Sequence, residues 1–175
     1  MAGVVIYEDT RQKLGKHKAK NNWFAAHGIE VVRRKLDFGD YMTDSSNISV
    51  DTKQSLNEVA MDVGRDHDRL NREIQRANEA GYRLIILVEV GRPYKDIESV
   101  SSWVNNVCQR CKLYRVGACD PFAGGCQRFG HRPTQGPQLA KTMRTLQDKH
   151  HVVWEFCPPH KAGQRICELL GVMTD

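Results

Sequence analysis

The chain has 175 residues, 40% of them hydrophobic and 27% charged, with a formal net charge of +5. That length and apolar content allow one domain with a real core, spanning residues 1–175. No window approaches 18 consecutive apolar residues, which excludes a membrane-spanning helix, and Met1-Ala2-Gly3-Val4-Val5-Ile6-Tyr7 lacks the basic start and long apolar run of a signal peptide. An intracellular protein is expected, cytoplasmic if the source is a bacterium or a phage.

Gly3 to Glu8 is short and rich in β-branched residues and predicts a buried strand. Lys16 to His27 predicts a helix with Trp23, Phe24 and His27 on its apolar face and Gly28 as its cap. Ile29 to Leu36 and Asn47 to Lys53 predict two more strands, the second entered from the turn-forming Thr43-Asp44-Ser45-Ser46. Leu56 to Ala80 predicts one long helix, because Val59, Val63, Leu70, Ile74 and Ala77 recur at helical spacing and Gly81 closes it. Arg83 to Val90 is almost continuously apolar, the pattern of a central strand covered on both faces. Asp96 to Val107 predicts a helix, and Ala118 to Pro137, dense in Gly, Pro and Cys, an irregular insertion. Gln138 to Lys149 predicts a helix with Leu139, Met143 and Leu146 on one face. His151 to Phe156 predicts a strand, and Pro159 to Leu170 a closing helix followed by Gly171. The alternation predicts an α/β sandwich around a mixed sheet.

Asp51 and Lys53 lie two apart on a predicted strand, so they leave the same face and Thr52 leaves the other. If Phe38-Gly39-Asp40-Tyr41 returns against Val50-Asp51-Thr52-Lys53 as a hairpin, Asp40 reaches the same end of the sheet. Asp9, ending the first strand, adds a third carboxylate. Carboxylates beside an ammonium suit phosphodiester hydrolysis. Mg²⁺ and Mn²⁺ are hard ions held by oxygen, and such an ion neutralises phosphate and activates water. A neighbouring lysine orients the water or stabilises charge in the transition state. An Asp-X-Lys triplet alone is commonplace on exposed strands. The ordered set of Gly-Asp, hairpin, helix and apolar strand singles this one out.

These segments, in this order, resemble the nuclease domain of the XPF-type structure-specific endonucleases, a branch of the PD-(D/E)xK superfamily. The family pattern runs V-D-x-R-E, G-D-Y and E-R-K-x-x-x-D, then a long helix and an apolar strand ending in V-E. The matching segments are Glu8-Asp9-Thr10-Arg11-Gln12, Gly39-Asp40-Tyr41, Asp51-Thr52-Lys53 and Ile86-Leu87-Val88-Glu89. The likeness continues through Gln138 to Leu146 and His151 to Leu170, and leaves out Arg92 to Pro133. It implies a restriction-endonuclease-like mixed β-sheet flanked by helices, metal ligands at Asp40 and Asp51, and Asp9 near the metal. It also implies a catalytic Lys53, with Arg11 beside the scissile phosphate. Four positions depart from the pattern: Gln12 and Asp51 stand where the family has Glu, Thr52 where it has Arg, and Asn57 where it has the last Asp, with Glu58 adjacent.

The implied activity is Mg²⁺- or Mn²⁺-dependent cleavage of DNA at branched, flap or junction structures, with Lys53 or a metal-bound hydroxide as general base. Two alternatives stand beside it: a degenerate DNA-binding or regulatory protein on the same fold, and a restriction-type nuclease or Holliday junction resolvase. Relatives of this type pair with a second nuclease-like subunit and carry helix-hairpin-helix repeats. No such repeat is visible here, so the DNA grip is expected from the domain's own surface, a homodimer or a partner subunit, and a phage or mobile element is the expected source.

Cys108, Cys111, Cys119 and Cys126 are bunched, with His131 close behind. Cys-x₂-Cys is a common half-site for tetrahedral Zn²⁺, so residues 108–133 are expected to form a zinc-stapled insertion, with His131 as an alternative ligand. Free thiols or a redox pair are the competing reading. Arg110, Lys112, Arg115, Arg128 and Arg132 would let this loop grip a DNA backbone. Cys157, Cys167, Trp103 and Trp154 are expected in the core, and Tyr41 beside the site. His17, His27, His67, His150, His151 and His160 share no metal spacing and are expected at the surface or at helix ends. Lys13, Lys16, Lys18 and Lys20, and Arg33-Arg34-Lys35, are basic runs suited to a polyanion or to solvent. Arg65, Arg69, Arg72 and Arg76 form either a phosphate-facing stripe or, with Asp62, Asp66 and Glu73, a salt-bridged face.

Overall fold

The computed structural model describes residues 4–172. Six strands form one mixed sheet: β1 (Val5–Asp9), β2 (Glu30–Arg34), β3 (Tyr41–Met42), β4 (Ile48–Lys53), β5 (Arg83–Glu89) and β6 (Val153–Cys157). Their order is β2-β1-β3-β4-β5-β6. β1 runs parallel to β2, and β4, β5 and β6 are mutually parallel. The two-residue β3 is antiparallel to both β1 and β4 and joins the two parallel blocks. The carboxyl ends of β1 and β4 and the start of β3 therefore lie along one edge of the sheet.

The helices are α1 (Lys18–Ala26), α2 (Leu56–Val63), α3 (His67–Glu79), α4 (Ile97–Val100), α5 (Asn106–Gln109), α6 (Lys112–Arg115), α7 (Gly136–His150) and α8 (Ala162–Leu170), the last entered through a 3₁₀ turn at Pro159–Lys161. Alternation along β5 divides the core. Leu84, Ile86 and Val88 face a layer built from α2, α3 and α7, while Leu87 faces a second layer built from α1 and α8. Covering both faces explains why β5 is apolar from Leu84 to Val88. Trp103 and Trp154 lie in the first core, and Cys157 and Cys167 in the second, as their apolar settings predict. Among the described residues no helix is long and apolar enough to cross a membrane.

Three sequence expectations are corrected. The single helix over Leu56 to Ala80 is two helices, because Gly64 leaves helical geometry at φ −98°, ψ −94°. A Cβ there would stand 2.9 Å from the Ala60 carbonyl oxygen. Glycine is a poor helix former, and Asp66 prefers a helix start to an interior. The apolar period passes through the break, which hid it. The helix over Asp96 to Val107 is instead two single turns, α4 and α5. His17 stands at the start of α1, one of the helix ends expected for the histidines, and is buried there, edge-on to Tyr41 with ring centroids 5.7 Å apart. Tyr41 itself packs in the layer opposite the site, donating its hydroxyl to Glu8 at 3.1 Å.

Candidate active site

The site begins with a glycine. Gly39 adopts φ +69°, and a Cβ on it would lie 2.1 Å from Ser49 Oγ. Only glycine fits a left-handed turn this close to a neighbouring strand. The turn carries the next residue across the sheet: Asp40 N donates to the Val50 carbonyl at 2.8 Å, and Asp9 N donates to the Asp40 carbonyl at 2.9 Å. Asp40 is thereby stitched between the ends of β1 and β4. Its Oδ2 accepts from Thr52 N at 3.0 Å and from Thr52 Oγ1, and its Oδ1 accepts from Gln12 Nε2. Gln12 is backed in turn by His17, with 3.2 Å between Gln12 Oε1 and His17 Nε2. An amide in place of a carboxylate at position 12 thus serves as a donor to Asp40.

Asp51 and Lys53 project together from β4, as the strand period requires. Lys53 Nζ lies 2.7 Å from Asp51 Oδ2 and 2.7 Å from Asp62 Oδ2 on α2, and Asp62 Oδ1 is paired with Arg69 at 2.6 Å. All three of Asp51, Lys53 and Asp62 are buried. Burial pushes the Asp51 carboxyl up to about 6; Lys53 pulls it down, while Asp40 adds to the rise. Asp40 is raised by the same desolvation, against the pull of its Thr52 hydrogen bonds. Burial works to lower Lys53, but Asp51 and Asp62 together raise it above its ordinary value. Glu73, on α3, is also raised, by burial and then by Asp51, and it accepts from Gly39 N at 2.8 Å.

A cavity of about 290 Å³ gathers these groups, with Asp9, Asp40, Asp51 and Lys53 on its walls and Arg11, Lys16, Arg69 and Arg76 among its basic lining residues. Every residue expected from the sequence in the nuclease site is therefore in one place. Asp9 is the most committed of them: Oδ2 pairs with Arg11 Nε at 2.6 Å and Oδ1 accepts from Leu36 N at 3.1 Å. Asp62 and Glu73 were missed as site residues. Their signal was ambiguous, since acidic residues on an arginine-rich helix also read as ordinary surface pairs. The arginine stripe splits: Arg69 and Arg76 line the cavity, whereas Arg65 lines a separate groove.

Among the described residues no group of three or more His, Cys, Asp or Glu side chains is arranged to hold a metal ion. At this site each carboxylate is engaged instead by a cation or a hydrogen-bond donor. The donor set nevertheless fits a hard divalent ion, which prefers carboxylate oxygen. Asp51 Oδ2 is buried against the Lys53 ammonium at 2.7 Å and meets no other donor, so a lone pair remains for an ion.

The four bunched cysteines line a second, small cavity of about 20 Å³. His131 does not; it faces the groove that holds Met61 and Arg65.

No protein-family model and no curated protein matches the sequence. Solved structures do share its fold. XPF from Aeropyrum pernix aligns over 98% of this chain and 62% of its own, with a TM-score of 0.57 and 18% identity. XPF from the same organism in complex with DNA aligns over 97% of this chain and 64% of its own, at 0.58 and 20%. The chain thus has the fold of an XPF-type nuclease domain and spans a little under two thirds of the chains it resembles.

Proposed function

We propose that the chain is a metal-dependent DNA endonuclease acting on branched, flap or junction structures. The observation that carries this reading is the convergence of Asp40, Asp51 and Lys53 on one polar cavity lined with arginine and lysine. A double-stranded or branched DNA presents the dense negative charge such a lining attracts. The likeness to an XPF solved with DNA adds support for that choice of polyanion.

Mg²⁺ or Mn²⁺ would be held by Asp40 and Asp51, with Asp9 available once Arg11 turns away to phosphate. Bound there, the ion supplies an activated water and neutralises the phosphate. The chain's own residues do the rest. Thr52 and Gln12 fix the orientation of Asp40. Lys53, held protonated between Asp51 and Asp62, stabilises the negative charge that grows on the phosphoryl oxygens and does not serve as the base. Arg11, half exposed at the cavity, grips a phosphate. Pairing with a second copy or with a nuclease-like partner would extend this grip.

The test is cleavage of labelled flap, fork, four-way junction and linear duplex DNA with Mg²⁺, with Mn²⁺ and with chelator. Metal-dependent nicking near the branch is expected, and an Asp40→Asn variant should bind without cutting. Binding of branched DNA by the unmutated chain with no cleavage under any metal would assign a DNA-binding role instead.

A further inference from the structure

The insertion poses a stability problem. Residues 117–134 contain neither helix nor strand, and Phe122 and Phe129 are exposed. Ordering a loop of this size costs about 1–2 kcal/mol of backbone entropy per residue, and there is no local apolar core to offset it. Two devices hold it. Its base is tied by Asn105, whose N–H donates to Gln135 Oε1 at 2.9 Å and whose Nδ2 donates to the Thr134 carbonyl at 3.0 Å. Its tip wraps the Arg132 guanidinium, which donates to the carbonyls of Asp120, Ala123, Gly124 and Gly125 at 2.7–3.1 Å.

Between base and tip lie the cysteines. All four line one cavity of about 20 Å³, the size of a single small occupant. Two of the sulfurs already accept hydrogen bonds: Cys108 from Gln135 Nε2 at 3.1 Å and Cys126 from Phe129 N at 3.4 Å. Neutral thiols are poor acceptors, and N–H donors aimed at sulfur steady thiolates bound to a metal. A zinc ion with four thiolates carries a net charge of −2, and Arg128 beside Cys111 and Arg132 on the cavity wall supply the counter-charge. As they stand, no three of the thiols form a ligand set, so binding must draw them inward onto the cavity centre.

We propose that Cys108, Cys111, Cys119 and Cys126 bind one structural Zn²⁺ that staples the insertion, with His131 outside the ligand set. Binding releases the thiol protons, and the ion replaces the missing core of the loop. The choice between His131 and a fourth cysteine, open in the sequence, is decided by their placement on different cavities.

The experiment is elemental analysis of the full chain, purified without chelator or acid, together with Co²⁺ substitution. About one zinc per chain is expected, unchanged in His131→Ala and in Asp51→Asn and lost in a Cys111→Ser/Cys126→Ser double variant. Cobalt should give the intense visible bands and thiolate charge-transfer absorption of a tetrahedral sulfur site. The cobalt spectrum of the unmutated chain decides the matter even if the double variant fails to fold. A folded chain with under about half an equivalent of zinc that also shows no cobalt–thiolate absorption overturns the proposal; zinc that disappears in His131→Ala overturns the ligand set.

Discussion

Replacing Asp51 with asparagine should abolish cleavage and at the same time make the metal-free protein more stable. Asp51 is 4% exposed, and its carboxyl is raised from 3.8 to about 6. Each pKa unit corresponds to about 1.4 kcal/mol, so keeping it ionised at neutral pH costs the fold at most about 3 kcal/mol. The asparagine removes that cost but takes one of two partners from Lys53, which keeps Asp62 at 2.7 Å. A net gain of about 1–2 kcal/mol is expected, several degrees in Tm. The pH dependence carries the sign. A carboxyl with a raised folded pKa binds its proton in the native state first, so its contribution is fully present below 3.8 and lost as pH rises through about 6. The unmutated, metal-free protein should therefore gain stability from this group as pH falls from 7 toward 4, and the variant should lack that slope. Mg²⁺ or Mn²⁺ should stabilise the unmutated chain and leave the variant unmoved. Thermal and urea denaturation across pH, with metal and with chelator, measure all of this. An Asp51→Asn protein that is less stable than its parent at pH 7, or that still cuts DNA, refutes the reasoning.

Lys53→Met leaves Asp51 and Asp62 buried without the cation between them; a loss of about 3–5 kcal/mol in urea denaturation is expected, along with loss of cleavage, and a stable, active variant would contradict it. Gly39→Ala forces a Cβ against Ser49 Oγ at 2.1 Å on a left-handed backbone; it should cost at least about 1–3 kcal/mol and weaken metal binding by displacing Asp40, both readable by calorimetry. Arg11→Ala leaves the buried Asp9 carboxylate without its cation, so it should fold with a loss of about 1–3 kcal/mol, lower DNA affinity and reduce the slope of log K against log salt by about one. An unchanged slope would remove Arg11 from the phosphate contacts.

Much of the site was legible because strand geometry is local. The two-residue period placed Asp51 and Lys53 on one face, and a hairpin after Gly39-Asp40 brought Asp40 to the same end of the sheet. The α/β order and the doubly covered β5 followed from hydrophobic runs alone. What the sequence could not supply was the second partner of each charge. Asp62 reaches Lys53 from a helix, Glu73 reaches the Gly39 amide from another, and Gln12 reaches Asp40 across the sheet edge. These pairings span 9 to 34 positions, and no period links them. Glu73 comes from the helix after the break at Gly64, which the apolar spacing masked. The opposed carboxylates and the protonated lysine are thus properties of packing: the strand supplies the groups, and burial among distant partners sets their charge.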